Sequence, residues 1–92
     1  MERVELYNLA VEDKRYIDAA MLAAEIASEK VSAWNRTCWV WEVAKCLQAA
    51  GIDFTDFVQP LRVADIACDF SLLFDQLNQL KELAKKKKET KK

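Results

Sequence analysis

From Tyr16 onward the apolar side chains recur at helical intervals. Ile17, Ala20, Ala24, Ala27, Val31, Trp34, Cys38 and Trp41 step by three and four residues, the spacing of an a/d-type seam along one helix face. The first half of the seam is small-sided, rich in alanine, and its second half is bulky. Alanine lets a neighbouring helix approach closely. The phase runs unbroken through Ser32–Asn35. The pattern therefore predicts either one long helix of about 35–40 residues, or two helices meeting at a bend near Ser32–Asn35, where polar side chains suit a new N-cap. Residues 1–9 are ambiguous. Val4, Leu6 and Leu9 fit a helix start or an extended arm, and Glu12 and Asp13 favour a helical first turn by about Val11.

The stretch Trp34–Gly51 reads as the central helix. Trp39 and Trp41 are two positions apart, about 200° around a helix, so they do not share a face. Trp41 falls in a row with Trp34 and Cys38. Trp39 falls with Val43, Cys46 and Ala50, and Val40, Ala44 and Leu47 form a third apolar row. Only Glu42, Lys45 and Gln48 make an obviously wet strip. A helix that is apolar nearly all round is a buried one, and a chain this short buries only about two-thirds of its unfolded surface. The expectation is a second copy that supplies the missing cover.

Gly51, followed by apolar Ile52, fits a left-handed C-cap. In the turn Asp53–Asp56, Thr55 or Asp56 suits an N-cap, and Asp56 with Gln59 resembles a capping box. Pro60 then falls in a first helical turn, where its missing N–H is harmless. Val63, Ile66, Phe70, Leu73, Leu77, Leu80 and Ala84 again step by three and four, predicting a last helix over about 57–86. The predicted fold class is all-α. Two long helices, the first bent or broken near 32–35, form an antiparallel hairpin that completes a bundle by self-association. Residues 1–84 form the single helical domain. Residues 85–92 are a basic tail, its first lysines extending the helix and the rest disordered.

Composition sharpens this in three ways. One Gly and one Pro in 92 residues leave little turn chemistry for strands. Residues 1–84 hold 8 Lys and Arg against 14 Asp and Glu, so an acidic body carries a basic tail. Cys38, Cys46 and Cys68 form no C-x-x-C pair, and the first residues lack a signal-peptide apolar stretch. Reduced thiols in a cytoplasmic protein are the expectation, with Cys as a small buried hydrophobe. No apolar run is long enough to span a membrane.

The chain has no histidine. That removes the commonest general base, the His-activated nucleophiles and most metal sites. One Gly cannot build a phosphate loop. No catalytic group, cofactor or metal is expected. Asp65 and Asp69, one turn apart beside Arg62, read as a solvated face with an internal ion pair, and Asp53 and Asp56 as turn residues. The expected interface comprises Trp34, Arg36, Trp39, Trp41, Val43 and Cys46, since Trp and Arg dominate interface hot spots. The indoles read first as dimer core. If one stands at a surface used by a different protein, the sequence favours Trp39, three residues from Arg36. The expected function is a non-enzymatic helical inhibitor, adaptor or assembly factor that binds a partner protein as a homodimer. An alternative is a nucleic-acid accessory protein whose tail, Lys85, Lys86, Lys87, Lys88, Lys91 and Lys92, contacts phosphates. A helix-turn-helix over 43–66 fits poorly, because its second helix carries one Arg against two Asp. A small-molecule pocket between tryptophan-lined helices is a third class.

Overall fold

The computed structural model describes residues 2–30 and 32–90, with the side chains of Phe54 and 86–90 excepted. The chain runs α1 (Arg3–Glu12), α2 (Tyr16–Glu29), α3 (Ala33–Ala49), a 3₁₀ turn (Phe54–Phe57), α4 (Val58–Ala67) and α5 (Ser71–Thr90). The all-α class holds, and the described residues contain no strand. The two-helix hairpin does not hold: five α-helices fold into one body with a radius of gyration of 12.9 Å.

Each break has a local cause. α1 ends in a Schellman arrangement with Lys14 left-handed at φ 60°. The Arg15 N–H bonds the Ala10 carbonyl at 2.8 Å and the Lys14 N–H bonds that of Val11 at 3.0 Å. Between α2 and α3 the backbone is extended at Lys30 and Ser32, with ψ of 130° and 129°. The Ser32 hydroxyl then caps α3 by accepting from the Asn35 N–H at 3.5 Å. Of the two versions of this stretch, the single long helix gives way to two, α2 and α3, with Ser32 as the new N-cap, and a further junction at 13–15 sets α1 apart. α3 ends as predicted at Gly51, φ 76°. Ile52 N–H reaches the Leu47 carbonyl and Gly51 N–H that of Gln48, each at 3.0 Å. The last helix breaks at Cys68, left-handed at φ 56°, and Asp69 restarts it by accepting from the Ser71 N–H at 3.1 Å. Asp53, rather than Thr55 or Asp56, opens the 3₁₀ turn, accepting from the Thr55 N–H at 3.0 Å.

The central element is α2, not α3. It packs against α1, α3 and α5. Ala19, Ala20, Ala23, Ala24 and Ala27 are all fully buried, and their small side chains let three helices close on one. The long seam is therefore two faces. Its alanines point into the core, and beyond the break between α2 and α3, Trp34, Cys38 and Trp41 point out to solvent. α3 covers its other two rows, with Val43 and Leu47 fully buried, against α2, the 3₁₀ turn and α4. α4 contributes Pro60, Leu61 and Ala64, and α5 contributes Leu73 and Leu77. Helix continues to Thr90, so the first lysines of the tail extend α5. Lys91 and Lys92 lie outside the described residues.

Candidate protein-interaction site

The tryptophans part company as the helical geometry requires. Trp39 turns inward, where Tyr7 of α1 meets it edge-on at 5.3 Å and 84°. α1 is a helix rather than an arm, and it covers this side of α3. Val43 is fully buried and Cys46 is buried. The Tyr7 hydroxyl donates to Glu42 Oε2 at 2.7 Å and lies 3.7 Å from the Cys46 Sγ. Burial first, and the bond to Glu42 second, hold the Tyr7 hydroxyl far above its usual range, and burial raises the Cys46 thiol. Trp39, Val43 and Cys46 were expected at an interface; Val43 and Cys46 lie in the chain's own core and Trp39 packs half-buried against it, because α1 and α2 supply cover that a two-helix reading lacks.

Trp34 and Trp41 stay outside, at 74% and 63% exposure, two turns apart on one row of α3. Cys38 lies exposed between them. The exposed positions from Ala33 to Trp41 are Ala33, Trp34, Asn35, Cys38 and Trp41, none of them charged. α4 runs alongside. Arg36 Nε donates to the Asp65 carbonyl at 3.1 Å and Thr37 donates to Asp65 Oδ1 at 2.5 Å, so α3 is pinned to the end of α4. Arg36 is thereby a tie between helices. Asp65 serves Thr37, and Asp69 caps α5, where the Ser71 hydroxyl and N–H hold its carboxyl below the usual range. The expected Arg62–Asp65–Asp69 ion-paired face is absent among the described ion pairs.

Between the two helices runs a groove of about 200 Å³ lined by Val40, Trp41, Ala44, Val58, Leu61, Arg62 and Asp65. That is below the roughly 300–1,000 Å³ of pockets that enclose small ligands. Val58 and Ile66 are exposed on α4, one turn before and one turn after Arg62, Ile66 at 72%. The face is thus an apolar strip from two helices: Trp34, Cys38 and Trp41 beside Val58 and Ile66, with Arg62 as its charge. Sequence reasoning placed Ile66 in the core because it continued the stripe through Phe70. Counted within α4 alone, Leu61–Ala64 is an equally regular row, and that row is the one buried.

A second feature is a cleft between the start of α2 and α5, about 590 Å³, where Lys14, Arg15, Lys81 and Lys85 meet Asp18 and Glu82. Two of its cations are engaged. Arg15 lies 3.3 Å from Asp13 and 3.4 Å from Asp18, and Lys81 lies 3.7 Å from Asp18. Lys85 is exposed at its end, whereas the side chains of Lys86, Lys87 and Lys88, and all of Lys91 and Lys92, lie outside the described residues. Among the described residues no three Cys, Asp or Glu side chains gather as a metal cluster, and no helix is long and apolar enough to cross a membrane. Compared with protein-family models, curated proteins and solved structures, the chain matches none.

Proposed function

We propose that this chain is a non-enzymatic helical interaction protein, an inhibitor, adaptor or assembly factor, that binds protein through the α3–α4 face and self-associates as a homodimer. The observation that carries this is the pair of indoles, Trp34 and Trp41, standing 74% and 63% exposed on an uncharged row. Interface cores are depleted in charge and enriched in Trp, and an exposed apolar patch of a few hundred Å² on a small domain marks a binding surface. The lack of histidine supports the non-enzymatic reading, as does the use of Asp53 and Asp69 as caps and of Asp65 as a tie between helices.

Light-scattering mass and tryptophan emission, measured together across the micromolar range, test this. The expected result is a mass rising from 10.6 kDa towards twice that value, with emission shifting to the blue as the two indoles leave water. A constant 10.6 kDa with unshifted emission removes the homodimer.

A second reading, an accessory protein for nucleic acid, draws support from Lys14, Arg15, Lys81 and Lys85 converging where the lysine tail begins. Deleting residues 85–92 then weakens binding and flattens its salt dependence by about 0.9 in log–log slope per lost phosphate contact. Binding that survives the deletion undiminished eliminates this reading.

A further inference from the structure

We infer that the occupant of the α3–α4 face is α3 of a second copy, running antiparallel about a two-fold axis at Cys38. This rests on the self-association proposed above and adds its geometry.

Area comes first. With Trp34 at 74%, Trp41 at 63% and Ile66 at 72% exposure, together with Val58 and Cys38, the strip offers roughly 500 Å² of apolar surface, taking aromatic side chains at about 150–250 Å² each. A standard interface covers about 800 Å² per partner, and about 60–65% of it is apolar. The strip is therefore the size of one partner's share, with Arg62 and Lys45 at its rim.

Spacing comes second. Trp34 lies four residues before Cys38 and Trp41 three after it. The row is large–small–large and nearly symmetric about its centre, so turning it end for end sets large against large and small against small in a two-fold contact. Turned end for end about Cys38, each Trp34 falls beside the partner's Trp41, offset by about one residue, or ~1.5 Å along the axis. Offset indoles stack favourably, whereas a parallel arrangement sets like rings at the same level. The antiparallel choice also opposes the two helix dipoles. The paired cysteines fill the gap between two indole pairs, where only small side chains fit.

The test uses the full chain with Cys68→Ser, which leaves Cys38 as the exposed thiol, and a short bismaleimide as cross-linker. Light scattering reports whether the chain dimerises, and cross-linking reports how. The expected result is a covalent dimer through Cys38. Trp34→Ala and Trp41→Ala each raise the dissociation constant about 30-fold or more and suppress the cross-link, while far-ultraviolet circular dichroism stays unchanged because both side chains are exposed. In the Cys38→Ser, Cys68→Ser, Lys45→Cys chain the two thiols sit about 21 Å apart along the antiparallel axes, so no cross-link forms. A dimer by mass that fails to cross-link at Cys38, or that cross-links at Lys45→Cys, overturns this geometry and leaves self-association standing. A chain that remains monomeric by mass overturns both.

Discussion

At the scale of single residues, the described part of the fold depends on three left-handed positions, of which one is glycine. Lys14 and Cys68 adopt φ of 60° and 56° with a Cβ present, and Gly51 adopts 76°. A left-handed L-residue costs about 1–2 kcal/mol. Lys14→Gly and Cys68→Gly are each expected to stabilise the chain by about 0.5–1 kcal/mol, and Gly51→Ala to destabilise it by about 1 kcal/mol. A Cβ at Gly51 meets nothing within 4 Å, so its cost is backbone strain alone. Urea midpoints of the three variants check this. Opposite signs for the two kinds of change are required.

At the scale of the helix, α2 decides how closely the others approach. Ala24 is fully buried on an element that touches α1, α3 and α5. Leucine has nearly the helix propensity of alanine, so Ala24→Leu isolates packing. The expected loss is about 1–3 kcal/mol, from side chains forced off their rotamers. Leu83→Ala, on an exposed stretch of α5, should stay within about 0.5 kcal/mol of the parent. Circular dichroism during urea unfolding measures both. A neutral Ala24→Leu would mean that the helices around α2 are not closely apposed.

For the whole molecule, pH acts from two sides. Thr55, through its N–H and then its hydroxyl, holds Asp53 below its ordinary 3.8, and Ser71, through its hydroxyl and then its N–H, does the same for Asp69. Their stabilisation is present above the unfolded value and is lost as pH falls through the depressed folded value. Cys46 and Tyr7 move the other way, raised from 9.0 and 10.0. The unfolded chain sheds those protons first. Their contribution to stability is therefore full below pH 9 and falls as pH rises beyond it. Urea midpoints against pH should show a plateau with an alkaline decline, and Tyr7→Phe should shrink that decline to the share of Cys46. An unchanged alkaline limb in Tyr7→Phe would show that the Tyr7–Glu42 contact does not form in solution.

How much of this was written in the chain differs element by element. Residue order alone determined the helical class, the Gly51 stop and the three apolar rows of α3. These depend on local spacing and on the one residue type that takes φ 76° without strain. It did not reveal the breaks at Lys14 and Cys68, because non-glycine residues there are held left-handed by carbonyl contacts and packing rather than by their own preference. Nor did it reveal which row of α3 or α4 faces water. Trp34 and Trp39 are the same side chain, Ala64 and Ile66 are both apolar, and hydrophobicity has no direction of its own. The break between α2 and α3 and the docking of Tyr7 beside Trp39 chose between them. That choice belongs to tertiary structure, because a side chain is buried only when another element arrives to cover it.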